Sequence, residues 1–482
     1  MVIDSFYTLA FGIAATMLII SEIVFFTNDI GFFNWGRKAY RNVTAICNDF
    51  SNGKYYNPWG SVKPIIINPS RKEMTELSEA NSLSQRAVYA DMFGFKLTMN
   101  GITHNEVNVL RTRLYSRLLQ NRGPSNLAAL YPYLQKRLET VLDQQLQKGI
   151  VKSDGPVSIA LAPSVRTISS KLMALIFFGD KASADQEFAD ALLTYSADLV
   201  KCLAAFQVFP AIFSGLIHKI ITKNGRAMHL LQNRFKHLMR SDYGESKDVK
   251  DRTILHNMIE IIQEQEGSPE YWTTDITSQA LLGVWFAASH QPWMNLDFIL
   301  LELAQRPEWQ LRLREEIGNI SESNYESLDR LPYLDSFIKE SVRMNPLDTH
   351  AIRRKALDDY QFKRGDYFLK KGTTACVSAI DILNDKNVYV NPEKWDGERF
   401  VTGPSPMRGT KFSDVSEHFP TWGFGSLACP GRFHATLVLK IVIARLVSEY
   451  DIFLESKGRV KFMWETFTFP YDSTRVLLKK VN

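Results

Sequence analysis

Cysteine is scarce in this sequence, with four among 482 residues, Cys47, Cys202, Cys376 and Cys429. No two lie close enough to form the paired motifs of a zinc site or a dithiol redox centre, and four scattered thiols do not make the framework of a disulfide-stapled secreted domain. Three of them, Cys47, Cys202 and Cys376, read as small buried apolar residues in a reducing compartment. A charge of one sign is also lacking. Lys and Arg total 57 against 52 Asp and Glu, and a net +5 over this length excludes a nucleic-acid footprint. Repeats, low-complexity tracts and Pro/Ser-rich linkers are missing from residue 60 onward, so 61–482 reads as one catalytic domain. No dinucleotide or flavin fingerprint is visible, which argues against a chain that carries its own nicotinamide or flavin.

What is present begins with an apolar stretch. Ser5 to Ser21 carries no charge, and apolar character resumes after Glu22 through Val24, Phe25 and Phe26. A bilayer core needs roughly 20 apolar residues, so residues 1–27 read as one spanning helix and 28–60 as a tether containing Pro58, Trp59 and Gly60. Arg37, Lys38 and Arg41 follow the segment while only Asp4 precedes it, which places the remainder in the cytosol. A cleaved signal peptide ranks lower, because there is no basic leading region and no small-x-small cleavage site.

Beyond the tether, apolar residues recur at three- and four-residue spacings. The pattern predicts helices over Asn105–Leu119, Ala128–Leu146, Val165–Phe178, Ala184–Phe206, Gly225–Arg240, Asp275–Ala304, Pro307–Ile320, Leu334–Met344 and Phe433–Tyr450. Strand-like pieces are short: Val62–Ile67, Thr374–Val377 and Arg459–Thr466. The fold class is therefore mainly α with small β-sheets.

The most informative stretch is Trp422-Gly423-Phe424-Gly425-Ser426-Leu427-Ala428-Cys429-Pro430-Gly431-Arg432-Phe433. Glycines at 423, 425 and 431 permit close backbone approach around one cysteine, and a long helix starts just beyond. A sulfur at a helix N-terminus gains from the dipole and from free amide donors, which favour thiolate over thiol. At this point the sequence resembles the cytochrome P450 superfamily, whose heme signature reads Phe-x-x-Gly-x-Arg-x-Cys-x-Gly. Gly425, Cys429 and Gly431 match, Trp422 stands in the Phe place, and Leu427 occupies the place of an Arg that would pair with a heme propionate.

Two further elements agree with the family in order and spacing. Glu340-Ser341-Val342-Arg343 resembles its Glu-x-x-Arg, where side chains at i and i+3 share a helix face. Asn391-Pro392-Glu393-Lys394-Trp395-Asp396-Gly397-Glu398-Arg399-Phe400 resembles its Pro-x-x-Phe-x-Pro-x-Arg-Phe, with Trp395 and Gly397 departing from the pattern. The resemblance implies a triad of Glu340, Arg343 and Arg399 that braces the scaffold behind the heme. Ala287-Ala288-Ser289-His290-Gln291-Pro292 resembles the segment crossing the oxygen-binding face. Ala287 and Ala288 keep the small positions, whereas His290 replaces the acid and Gln291 the threonine. Pro292 cannot donate to the carbonyl of Ala288, so an opened or kinked helix is expected. The competing reading leaves His290 and Gln291 as satisfied polar residues of a buried helix. Arg353 resembles the propionate-binding Arg, with Arg354 a competing assignment; Arg111 or Arg113 is the candidate second partner.

The resemblance implies the P450 fold behind an N-terminal transmembrane helix, heme b ligated by Cys429, and insertion of one oxygen atom into an apolar small molecule. It further implies electrons from NADPH through NADPH-cytochrome P450 reductase, and a single-pass anchor in the endoplasmic reticulum membrane. Arg408, Lys411, Arg432 and Lys440 form the expected basic docking face. Phe206, Phe209, Val284, Trp285, His350 to Ile352 and Phe469 are expected around a greasy cavity. The phrases around Arg343 and Trp285 look most like fungal P450s of secondary metabolism, which points to a terpenoid or similar substrate. Two other classes stay open: a heme-thiolate isomerase or dehydratase that needs no reductase, and a membrane-tethered protein that keeps the fold without chemistry.

Overall fold

A computed structural model describes residues 53–55, 63–99, 106–153, 155–209, 211–240, 249, 252–264, 272–402 and 407–481, with the backbone alone over 106–122. The expected membrane helix at 1–27, and all of the tether but its three described residues, lie outside these. The principal helices are α1 (Arg71–Glu79), α2 (Gln85–Phe93), α3 (Glu106–Gln147), α4 (Leu161–Phe178), α5 (Gln186–Val208), α6 (Ser214–Ile221), α7 (Arg226–Arg240), α8 (Thr274–Ala304), α9 (Pro307–Gly318), α10 (Pro332–Met344) and α11 (Arg432–Glu449). Side chains fix several of their starts. Asp185 accepts from the Phe188 amide at 3.0 Å and Thr273 from the Ile276 amide at 3.3 Å, each closing an otherwise orphaned donor.

The two helices expected over 105–119 and 128–146 are one, running 42 residues through Pro124 and Pro132. Packing overrides the cost of an internal proline. Leu127, Leu130, Leu134 and Leu138 are all buried, and Gly123 sits where a Cβ would lie 3.5 Å from both Phe433 and His434 of α11. Helix α8 runs from Thr274 to Ala304 with Pro292 buried inside it, so the missing amide at Pro292 does not end the helix.

Small sheets edge the helices. One orders Ile65–Ile66, Thr374–Ser378, His350–Ala356 and Leu83–Ser84; another orders Tyr450–Leu454, Arg475–Lys480, Val157–Ala160 and Ile150–Val151. The strand expected at the C-terminal end appears as Lys461–Trp464, paired antiparallel with Phe467–Pro470. A single apolar cluster runs from Phe93 to Leu478 and has α8 at its centre, flanked by α4, α7 and α10. Helices α4 and α5 are long and apolar enough to cross a membrane, but 78% and 61% of their apolar windows are buried inside the protein, which makes them core helices.

Candidate heme-thiolate site

Cys429 enters the site from a loop whose path depends on glycine. Gly423 and Gly425 have φ of +77° and +69°, a region closed to most side chains. A Cβ on Gly425 would also lie 2.7 Å from the Glu79 carboxylate, which accepts the Ser426 amide at 2.8 Å and pins the loop to α1. The Cys429 amide donates to the Trp422 carbonyl at 2.7 Å, and Trp422 Nε1 donates to the Phe412 carbonyl at 2.6 Å. Trp422 thus does for this loop what the smaller Phe of the signature does by packing alone, and adds a hydrogen bond.

At the sulfur, burial opposes the helix N-terminus. Burial pushes the Cys429 thiol above its ordinary value; the Gly431 amide and the Arg432 guanidinium pull the other way without overcoming it. Ligation by a metal ion therefore requires loss of that proton.

Across a cavity of about 820 Å³ from Cys429 lies α8, presenting Gly283, Ala287, Ala288, His290 and Gln291. Ala287 and Gln291, four residues apart on one face, are exposed although the helix around them is buried, because the cavity is what they face. The two walls suit a planar group. Glycine, proline and leucine of the cysteine loop (Gly423, Leu427, Pro430, Gly431) form one wall, and the small residues of α8 form the other. His290 is stacked on Phe286 at 6.0 Å and edge-on to Trp293 at 5.4 Å, and its Nε2 is buried without a partner. Among the described residues, no protein side chain satisfies this nitrogen.

Behind the site the triad forms as the sequence implies. Glu340 accepts from Arg343 Nε at 2.7 Å and Nη2 at 2.8 Å, from Arg399 Nε at 3.0 Å and from the Asp396 amide at 2.9 Å. The side chains of Glu340 and Arg343 have no exposure, and that of Arg399 has 4%. The two departures in the downstream segment answer each other. Trp395 meets Trp309 and Phe337 edge-on, and a Cβ at Gly397 would fall 2.2 Å from Trp309 and 2.6 Å from Trp395.

The strand after α10 bends at a bulge between Ala351 and Arg354, where Ile352 takes a φ of +53°. A β-branched residue there stores strain, about 1–3 kcal/mol. Arg353 lines the cavity, but its Nε and Nη2 hold Asp348 at 2.8 and 2.7 Å, and Nη2 also donates to Thr466 at 2.6 Å. Arg354 also lines it, donating to the Arg353 carbonyl at 2.9 Å. Arg111 and Arg113 lie on α3 in the stretch whose side chains are outside the described residues.

The basic docking face does not survive intact. Lys440 is buried and paired with Asp335 at 2.6 Å, and Arg432 donates to the Cys429 carbonyl at 3.0 Å; Arg408 stands exposed, and the half-exposed Lys411 is paired with Asp329. Among the expected substrate contacts, Val284, His350 to Ile352 and Phe469 line the cavity. Trp285 does not, since it is buried with Nε1 donating to the Leu192 carbonyl at 3.1 Å. Phe206 packs over Gly94 and Phe209 beside Val208 and Trp464. Gln85, Arg86 and Tyr89 on α2, and Ile254, Met258 and Trp272, are also on the cavity wall and carry no local signal for it. His434, buried beside the cysteine loop, was legible only as an exception in the apolar first turn of α11.

Comparison with known proteins agrees with this geometry. The family model for cytochrome P450 matches residues 85–478. Cytochrome P450 monooxygenase penP of Penicillium crustosum is 27% identical over 429 residues, 85% of this chain and 79% of that protein. Cytochrome P450 monooxygenase 110 of Postia placenta is 28% identical over 374 residues, 74% of each. Among solved structures, retinoic acid-bound cyanobacterial CYP120A1 aligns with a TM-score of 0.63 at 19% identity, covering 84% of this chain and 86% of that one, a likeness of fold. With a family match spanning most of its length and one cysteine facing a small-residue helix across a common cavity, the chain belongs to the cytochrome P450 family of heme-thiolate monooxygenases.

Proposed function

We propose that this P450 inserts one atom of dioxygen into an apolar, ring-bearing organic substrate, a terpenoid or a similar natural product, with electrons relayed from NADPH by a membrane-bound flavoprotein reductase. The observation that supports the reading is the shared cavity, lined both by Cys429 and by the small residues of α8. Heme b, when bound at Cys429, supplies an iron that activates dioxygen, with thiolate donation favouring O–O cleavage. The chain does the rest. Ala287 and Ala288 keep side-chain bulk at the cavity wall small, and Gln291, turned into the cavity, offers an amide that donates and accepts. Phe93, Phe177, Leu203, Met258, Ile276 and Phe469 line the substrate space with apolar surface that excludes water and selects greasy molecules. Arg353, its angle fixed by Asp348, would hold a heme propionate. The second oxygen atom leaves as water, which takes two electrons and two protons per turnover; His290, at the cavity wall, hands the protons on.

Membrane attachment belongs to the same reading. Besides residues 1–27, the segment ahead of α6 and α6 itself expose Ile212, Phe213, Leu216 and Ile220 at 85, 50, 59 and 68%. Such a concentrated apolar patch suits an interface with lipid, and the endoplasmic reticulum membrane, where the reductase resides, is the place we assign.

The test is a carbon monoxide difference spectrum of the reduced protein beside Cys429→Ala. The long-wavelength Soret band of a thiolate-ligated heme is expected in the parent only, and its presence in both would defeat the assignment. A second reading, a heme-thiolate isomerase or dehydratase, draws on the replacement of the usual acid and alcohol by His290 and Gln291. Substrate turnover in the absence of NADPH and reductase would favour it.

A further inference from the structure

The α8 wall continues, behind His290, into a polar cluster that substrate and heme leave unused. His290, Trp293 and Asp297 follow one another at three- and four-residue intervals, so they share one face of the helix. Across that face lies Arg166 of α4, its guanidinium carbon 4.3 Å from the centre of the Trp293 ring. Arg166 also holds Asp472, in the turn before the last strand, at 2.6 Å, and the two side chains are 24% and 26% exposed. This ion pair is where the cluster meets solvent.

Inside it, Asp297 is fully buried and neither of its carboxyl oxygens has a hydrogen-bond partner; His290 Nε2 is in the same condition. Buried polar atoms in native proteins are nearly always satisfied. Two exceptions on one helical face, both under the influence of one guanidinium, require a reason that packing does not provide, since an apolar residue would fill either place at lower cost.

We propose that the protons consumed in the cavity travel along this face, entering from solvent at the Arg166–Asp472 pair, passing to Asp297, and reaching the imidazole of His290 through ordered water. The inference rests on the monooxygenase reading, in which every turnover takes up protons. His290 and Asp297 are two turns apart, roughly 10 Å along the axis, a distance that takes a chain of at least two waters rather than a direct hydrogen bond.

Each transfer is a proton moving without electrons. Asp297 gives up its hydroxyl proton toward the ring; the imidazole accepts at one nitrogen and releases from the other at the wall formed by Ala287 and Gln291. The carboxylate left behind is reprotonated from solvent. Burial favours the neutral acid at Asp297 and the neutral imidazole at His290, the latter held down to about 3, so a standing carboxylate–imidazolium pair is disfavoured and the ring must release a proton to the cavity as it accepts one. Among the described residues, the charged groups acting on the pair are Arg166 and Asp472. Arg166 steadies the transient carboxylate and disfavours an imidazolium, so the proton stops at neither.

The test uses the full-length holoenzyme and begins with infrared spectroscopy. A protonated-carboxyl stretch that disappears in Asp297→Asn and shifts within minutes in D2O is expected; its absence, or its failure to exchange, overturns the route. With reductase and substrate, Asp297→Asn should retain the carbon monoxide band yet form product per NADPH at least about tenfold less efficiently, the remainder appearing as peroxide, with an enlarged solvent isotope effect. Coupling equal to the parent's overturns the proposal. Asp472→Asn is a surface change that preserves folding if Asp297→Asn does not, and it should slow deuteration of the carboxyl band several-fold; an unchanged rate refutes entry at that pair. A parent that binds no carbon monoxide in the thiolate manner would sink the monooxygenase reading instead, while leaving the infrared result to stand or fall separately.

Discussion

Replacing Glu340 with Gln tests how the site is braced. The carboxylate takes four hydrogen bonds, three of them from two guanidinium groups, and neither it nor Arg343 has any side-chain exposure. The amide is nearly isosteric, so no cavity forms. It leaves two buried cations without their counter-charge and turns an NH2 donor toward donors. Removing one partner of a buried ion pair costs about 3–5 kcal/mol, and lost charge-assisted hydrogen bonds are worth about 1.5–3 kcal/mol each. The terms overlap, so the expected loss is about 5 kcal/mol, comparable to the whole stability of many domains. Urea unfolding followed by near-ultraviolet circular dichroism, with heme content measured on the same samples, should show either a collapsed midpoint or no folded protein. Asp358→Asn, breaking the exposed 3.3 Å pair with Lys371, is the matched control and should change stability by at most about 1 kcal/mol. If Glu340→Gln unfolded within about 1 kcal/mol of the parent, the triad would not be the brace described.

Other expectations follow from single contacts. Gly397→Ala forces a methyl into Trp309 and Trp395 and should cost about 1–3 kcal/mol, partly restored by adding Trp395→Phe; full additivity of the two changes in thermal unfolding would refute the coupling. Burial holds His434 down to about 4 and His290 to about 3, both below the unfolded value near 6.5. The unfolded chain therefore binds more protons, and stability should fall as pH drops from about 6.5 toward 4, by up to about 1.4 kcal/mol per pH unit for each histidine. His434→Leu should flatten that slope, and an unaltered slope would contradict the burial. Replacing Ile212, Leu216 and Ile220 by Glu should reduce binding to phospholipid vesicles without moving the unfolding midpoint; unchanged vesicle binding would remove the patch from the membrane account.

The helical scaffold was readable because its signals are repeated. Apolar periodicity recurs along α4, α5, α7 and α8, and one misplaced residue does not obscure it. The sheets were mostly unread, since two-residue strands such as Leu83–Ser84 carry no period and owe their pairing to partners more than 250 residues away. The gap expected between residues 119 and 128 misled for a related reason: the periodic signal lapses there, and packing at Gly123, Asn126 and Leu127 holds the helix together. Within the site, Cys429 and the triad announced themselves by spacing. The thiol's protonation did not, because burial is a property of the assembled fold. Lys440 looked like a surface cation for the same reason, its partner Asp335 lying 105 positions earlier. Asp297 carried a faint signal, a lone acid in an apolar run, and only the Arg166 side of the fold gives it meaning.

Helix α8 is unequal along its length. From Trp293 to Ala304 almost every residue is buried, with Met294 and Asn295 alone still at the cavity wall, while the preceding turns bury Leu281, Leu282 and Trp285 on one side and leave Gly283, Val284, Ala287 and Gln291 at the cavity on the other. The division lets one rod serve as keel and as workbench. Substitutions in the leading turns can reshape what is accepted without unseating the frame, whereas the trailing turns tolerate little. Divergence toward new substrates within such a lineage should therefore accumulate ahead of Pro292 and thin out behind it.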